Sequence, residues 1–201
     1  SILKKWDKEA KAEGQKHTVF AHSMSDVFDL DVPDQWRLDE FDDFAKTDDL
    51  YFQVLTKRSA FPEFFLKTYP QHVKMFMDKV WLGTSIGSEK DLEMAREIVK
   101  APALLHWISY EPAIGPLNVY DLPEQIKWLV IGGESGHGAR PFNIEWALSA
   151  VEACKDLGIK VFVKQLGLHP QLNGVAYPVS DSHGKILSEW PEWLRVQDFP
   201  L

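Results

Sequence analysis

Cysteine is the scarcest resource in this sequence, with one, Cys154, among 201 residues. A lone thiol closes no disulfide within the chain, and it assembles neither a cysteine-ligated iron–sulfur cluster nor a zinc ribbon. Its place in an apolar-periodic segment predicts a buried core thiol. Long hydrophobic runs are missing too, so no segment is expected to span a bilayer, and no signal-peptide pattern opens the chain. A cytoplasmic protein without membrane contact is the expectation. Cations are outnumbered, 22 Lys and Arg against 30 Asp and Glu, for a net charge of −8 and a pI near 5.3. Proteins that grip phosphate backbones present a basic face, so generic nucleic-acid binding is not expected. No His or Asp spacing makes a metal motif. The first residue is Ser1, not Met, which points to a fragment or a processed product.

What is present is apolar and rhythmic. Hydrophobic residues make up 45% of the chain, enough for a substantial core. Six short segments read as buried strands: Val19 to His22, Tyr51 to Leu55, Val80 to Ser85, Leu104 to Ser109, Trp128 to Ile131 and Lys160 to Lys164. They are β-branched and aromatic and remain apolar instead of alternating, as parallel strands covered on both faces do. Their starts recur every 24 to 32 residues, the length of a strand, a helix and two loops. Helical patterns fill the intervals: Asp34 to Lys46 behind Pro33, Ser88 to Lys100 with a Ser88–Asp91 capping pair, and Asn143 to Leu157 between an Asn143 cap and a Gly158 stop. Ser59 to Met77, broken by Pro62 and Pro70, reads as two short helices, and Ala113 to Gln125 as loop.

The fold class this predicts is α/β, a partial (β/α) barrel of about six parallel strands over residues 1–167. From Leu168 the rhythm stops, and residues 168–201 read as an irregular tail pinned to the barrel by Trp190 and Trp193. An exposed strand edge on an incomplete barrel would recruit a partner, so an oligomer through that edge is a further expectation.

Parallel α/β folds meet their ligands at the carboxyl ends of their strands. Here those ends carry Ser23, Ser25 and Asp26; Thr56, Lys57 and Arg58; Ser85; Glu111; Gly132, Gly133 and Glu134, with Arg140 just beyond; and Lys164. Asp26 suits either a ligand contact or a helix cap. Lys57, Arg58, Arg140 and Lys164 suit a pocket for an anionic small molecule, or else structural ion pairs with the glutamates. Glu111 and Glu134 follow neighbouring strands, as general acid and base carboxylates do in glycosidases. "WLVIGGESGHGARPF" holds more glycines than a tight turn needs, suggesting backbone shaped around a ligand, yet it lacks the spacing of a nucleoside-triphosphate loop. Among the histidines, His137 lies beside these glycines, whereas His22 and His106 stand apart.

Taken in order, "VFAHSMSDVFDLDVP", "FQVLTKR", "VWLGTSI", "ISYEPAIGPL", "WLVIGGESGHGARPF", "VFVKQLG" and the closing "GKILSEWPEWLRVQDFP" resemble the bacteriophage gene-product 37/68 family over nearly the whole chain. That family occurs in phages and prophages and is regarded as radical-SAM-like. The resemblance implies a partial barrel related to enzymes that cleave S-adenosylmethionine with a 4Fe-4S cluster, and a host-cytoplasm location. It places Ser23, Ser25 and Asp26 where such proteins hold the methionyl amino group, with Thr56, Lys57, Arg58, Ser85, Glu111, Glu134 and Arg140 lining the rest. Related members carry their three cluster cysteines upstream of the segment matching "LKKWDKEAKAEGQKHTVFAHSMSD". This chain has no such loop, so a cluster and S-adenosylmethionine chemistry belong to a longer form. The competing expectations are a non-catalytic binding module on a degenerate barrel and a hydrolase using Glu111 and Glu134.

Overall fold

A computed structural model describes residues 1–201. The elements run α1 Ile2–Glu13, β1 His17–Ala21, α2 Asp34–Ala45, β2 Leu50–Thr56, α3 Phe61–Thr68, α4 Val73–Lys79, β3 Val80–Ser85, α5 Leu92–Ile98, β4 Leu105–Tyr110, β5 Ile126–Gly132, β6 Phe142–Asn143, α6 Ile144–Leu157, β7 Lys160–Gln165, β8 Pro170–Leu172 and β9 Val175–Ala176. The class is α/β. Six parallel strands follow the order β1-β2-β3-β4-β5-β7, with helices between them in the chain. By internal packing the chain divides into two compact units, Ser1–Thr84 with Glu97–His106, and Ser85–Arg96 with Trp107–Leu201.

The first unit is built on phenylalanine. β1 pairs in parallel with β2 from His17 opposite Leu50, and β2 with β3 from Phe52 opposite Val80. Phe41 and Phe44 of α2 turn inward onto Phe28, Phe52, Phe65 and Phe76, all at most 3% exposed. Phe44 stacks on Phe52 at 3.7 Å between ring centroids, and Phe41 meets Phe76 edge-on at 5.0 Å. Fully burying one such ring stabilises by roughly 1.5–3 kcal/mol, so this cluster dominates the unit. Among these rings lies one charged side chain, Arg37, 2% exposed. It donates from Nε to the Val27 carbonyl at 2.7 Å, from Nη1 to Asp34 at 2.6 Å, and from Nη2 to the Asp29 carbonyl. One guanidinium thus holds the whole 27–29 turn.

Helix α1 has no counterpart among the predicted elements. Its apolar residues are few and only Ala10 is fully buried, but Leu3, Trp6 and Ala10 recur at helical spacing and pack on the core of this unit. Tertiary contact secures it: the Asp7 carboxylate accepts from the amides of Asp48 and Asp49 at 2.9 and 2.7 Å, capping the entry to β2. Gly14, in the left-handed region at φ 68, ends the helix.

In the second unit β5 pairs in parallel with β7 from Trp128 opposite Lys160. Asn143 caps α6, its side chain accepting from the Glu145 amide at 3.0 Å, and left-handed Gly158 stops it. Cys154 lies on the buried face of α6, where burial pushes its thiol up to about 12. The segment after Leu168 is more ordered than its sequence suggests. β8 and β9 form a hairpin through Asn173 and Gly174, both at positive φ, the conformation that a two-residue primed turn demands. Trp190 is buried and donates its indole N–H to the Gly184 carbonyl at 2.8 Å, while Trp193 is 39% exposed and anchors little. Residues 196–198 lie along β7: Val163 donates to Val196, and Asp198 to Val161, each at 2.8 Å. The tail therefore covers that edge of β7.

The expectation of uniformly apolar strands holds for β3 and β4. β2 alternates strictly between buried and half-buried residues, and β1 alternates half-buried with exposed ones up to the buried Ala21. No helix is long and apolar enough to cross a membrane.

Candidate functional site

In the first unit the exits of β1 and β2 are tied together by Asp26. Its Oδ1 accepts from the Phe28 amide at 2.9 Å, an Asx turn that directs the chain toward α2. Its Oδ2 accepts from Thr56 Oγ1 at 3.0 Å and the Lys57 amide at 2.9 Å. Asp26 is therefore not a helix cap; α2 starts eight residues later, behind Pro33. Thr56 is 1% exposed and also receives the Arg58 amide at 2.9 Å, while its carbonyl accepts from Thr84 Oγ1 at 2.8 Å. Thr84 in turn lies 2.7 Å from the Ser59 hydroxyl. This buried hydroxyl chain gives the β2 exit a single geometry. Ser23 and Ser25 are exposed beside Asp26. Arg58 pairs with Asp29 at 2.8 Å and lines a recess of about 400 Å³ with Leu30, Ser59, Ala60, Phe61 and Phe64.

The second unit answers why an oily strand ends in four glycines. Gly133 donates to the Gln165 carbonyl at 3.0 Å, and its own carbonyl receives the Gln165 side chain at 2.9 Å. A Cβ on Gly133 would stand 2.1 Å from the Leu166 carbonyl oxygen; one on Gly167 would stand 2.4 Å from the Glu134 carbonyl, and one on Gly184 2.7 Å from that of Gly167. Three glycines from the β5 exit, the β7 exit and the tail thus let backbones cross where side chains would collide. The space that the sequence reserves for a ligand at Gly133 is taken by the chain's own backbone. Gly132 faces the Glu111 side chain, its hypothetical Cβ 3.1 Å from Cγ. Gly136 and Gly138 have nothing within reach, but lie at φ 93 and 79, so they shape the loop that follows.

That loop is closed by Glu134 and Arg140. The carboxylate accepts from the Arg140 amide at 2.9 Å, from Nε at 2.7 Å and from Nη2 at 2.8 Å, a bidentate clasp. The hydrogen bonds from Arg140 hold Glu134 at about 2, which leaves no proton for general-acid work near neutrality. Glu111, joined to Pro112 by a cis peptide bond, pairs through both oxygens with Lys164 at 2.9 and 3.0 Å. Both glutamates are thus engaged in ion pairs, Glu134 with Arg140 and Glu111 with Lys164. Of the four cations expected to attract an anion, Arg58, Arg140 and Lys164 are each matched by a carboxylate, and Lys57 alone has none at ion-pair distance. Ser85 ends β3 half-buried.

The pH dependence follows from the depressed Glu134 value. The clasp contributes fully above the ordinary carboxylate range near 4.5 and is lost as pH falls through about 2. Amide resonances of residues 134–140 are expected to stay in place down to pH 4 and to shift together below pH 3. Titration of these signals near pH 4.5 would show that the clasp does not form.

Residues 2–190 match the model of a family described as Protein of unknown function (DUF5131). The chain belongs to this family. No curated protein and no solved structure matches it. Membership in DUF5131 names a fold unit without a chemistry, so the chemistry has to be argued from the strand ends. For this DUF5131 chain a 4Fe-4S cluster is a poor fit to the residues present: the one cysteine lies in the last turn of α6, on its buried face. No group of three or more His, Cys, Asp or Glu is placed to hold a metal ion.

The first unit also contains two residues that sequence reasoning passed over. His22, the residue after β1, sits in the left-handed region at φ 58. Its Nε2 lies 2.7 and 2.8 Å from the two Glu40 oxygens, and its Nδ1 lies 3.1 Å from Ser25 Oγ. The hydrogen bond to Glu40 raises the His22 pKa, against the opposing effect of burial. His22 and Glu40 are eighteen residues apart, and only the packing of α2 against β1 brings them together. His137, the histidine favoured by its glycine neighbours, is exposed. His106 is buried and hydrogen-bonded to the Ala101 carbonyl at 2.9 Å.

Proposed function

We propose that this DUF5131 chain is a radical-SAM-like protein of phage or prophage origin, and that the β1 and β2 exits bind the methionyl end of S-adenosylmethionine. Ser23, Ser25 and Asp26 take its ammonium group, and the recess lined by Leu30, Phe61 and Phe64 accepts an apolar or aromatic portion. The observation that carries this reading is the fixed Asp26 carboxylate, held by Phe28, Thr56 and Lys57. Two neutral amides and a hydroxyl leave its negative charge in place with exposed hydroxyls alongside, an arrangement suited to an ammonium ligand. The reading requires no cluster ligand from residues 1–201; bound iron, and with it cleavage of S-adenosylmethionine, would need ligands from elsewhere. An anionic small molecule finds less support, because only Lys57 is without a carboxylate partner.

Isothermal titration with S-adenosylmethionine tests the proposal. Wild-type chain is expected to bind, and Asp26→Asn, which keeps the shape and removes the charge, to weaken binding about 10- to 100-fold, the worth of a charge-assisted hydrogen bond. S-adenosylhomocysteine, which shares the ammonium group, is expected to show the same loss. Absence of heat from the wild-type chain at millimolar ligand would overturn the proposal.

A further inference from the structure

Ser25, His22 and Glu40 stand in the order nucleophile, base and positioning carboxylate. Glu40 accepts from Nε2–H, which fixes the neutral imidazole with its proton on Nε2 and leaves Nδ1 as the acceptor, 3.1 Å from Ser25 Oγ. The two ring nitrogens exchange their usual places relative to a serine-hydrolase triad, but the electrostatic logic is the same: a carboxylate orients the imidazole, and the imidazole takes the hydroxyl proton. His22 adopts the left-handed backbone region at φ 58, unusual for a residue other than glycine and a recurrent mark of functional sites. Ser25 is exposed, and Met24 beside it is 96% exposed, so a substrate carbonyl has open access. The amide of Ser25 is engaged with the His22 carbonyl. The amide of Asp26, the residue after the serine, donates to no acceptor in the chain and is available to a developing oxyanion.

We propose that Ser25 is an acyl-accepting nucleophile activated by His22, with Glu40 as a positioning residue, and that the β1 exit transfers acyl groups from small esters. Ser25 Oγ bonds to the carbonyl carbon of the ester, and the serine proton passes to His22 Nδ1. As the bond from carbon to the leaving oxygen breaks, that proton is delivered to the departing alkoxide, giving the alcohol. Water then attacks the acyl-serine, surrendering a proton through the same nitrogen, to release the carboxylic acid and restore the hydroxyl. No metal or redox partner enters the balance. This inference is independent of S-adenosylmethionine binding. Ser25 is common to both, so the two are read separately, one by titration calorimetry and one by covalent labelling.

The test incubates the full chain with a fluorophosphonate probe and with p-nitrophenyl acetate, followed by intact mass and peptide mapping. One adduct is expected, on Ser25, and none in Ser25→Ala. His22→Asn, which tolerates the same backbone conformation, is expected to slow labelling at least 100-fold with an unchanged circular-dichroism spectrum. Glu40→Gln is expected to slow it about 10-fold and to move its pH midpoint downward. The charged groups facing His22 are Glu40 from α2 and Asp26 from the loop, and removing the first leaves the imidazole easier to deprotonate. A purely structural Glu40 would not move that midpoint. No adduct on wild-type chain, an adduct on another residue, or Ser25 labelling that survives His22→Asn would each overturn the proposal.

Discussion

Replacing Arg37 with methionine is expected to destabilise the chain by about 1–3 kcal/mol and to disable the β1 exit with it. The methionine keeps an apolar contact with Phe61, over whose ring the guanidinium lies at 5.0 Å, so the loss is not one of packing. It comes from the buried Val27 carbonyl, which the guanidinium satisfies, whereas the Asp29 carbonyl keeps the Val32 amide at 3.0 Å as a second donor. Each orphaned buried acceptor costs about 1–3 kcal/mol. Asp34, the third partner, is 47% exposed at its side chain and regains water, so its ion pair adds little. Arg37→Lys should rescue only part of the loss, because one ammonium cannot span three acceptors set around a planar fork. Urea unfolding measures the stability change. The same variant, assayed well below its midpoint, should also bind S-adenosylmethionine more weakly than wild type, since the 27–29 turn continues directly from Asp26. A midpoint equal to wild type would mean that Arg37 does not organise this loop.

Gly133→Ala should cost about as much, by a different route. The added carbon would meet a backbone oxygen at 2.1 Å and its carbonyl carbon at 2.6 Å, and backbone cannot move aside as the end of a side chain can. Forced repacking of this kind lies at the upper end of the 1–3 kcal/mol typical of overpacking. Gly132→Ala is the matched control: its contact is with the Glu111 side chain at 3.1 Å, which can rotate, so a smaller loss is expected. Gly138→Ala meets nothing and should cost only the left-handed penalty of about 1–2 kcal/mol. The order 133, then 138, then 132 in urea midpoints is the expected result. If 133 is tolerated as well as 132, the three-glycine crossing does not exist in solution.

The two units differ in how much of their chemistry could be read in advance. The strand ends were legible because the carboxyl ends of parallel strands carry polar residues for a general reason: the apolar run stops where the sheet does. Asp26, Thr56, Lys57 and Arg58 stand out in the sequence on that basis, and the first three are tied together by hydrogen bonds. Glu134 and Arg140 suit ligand-facing roles by their place in the sequence, and the structure gives them to each other. Sequence spacing cannot separate these outcomes, because a seven-residue loop rich in glycine folds back as readily around its own ion pair as around a ligand. His22 is not legible in the sequence for the opposite reason. Its partner is on α2, and no local pattern links an isolated histidine to a glutamate eighteen residues on.

By itself the sequence determined the α/β class, the six strands and the helices between them, the caps at Asn143 and Ser88, and the incompatibility of this chain with a cysteine-held cluster. All of these follow from local periodicity, backbone preference or residue count, which need no knowledge of what lies across space. Only the tertiary structure decided which charges neutralise one another, which glycines make room for backbone, and that Ser25, His22 and Glu40 meet. Those outcomes depend on distances between segments remote in sequence, and burial fixes such distances only once helices have packed on the sheet.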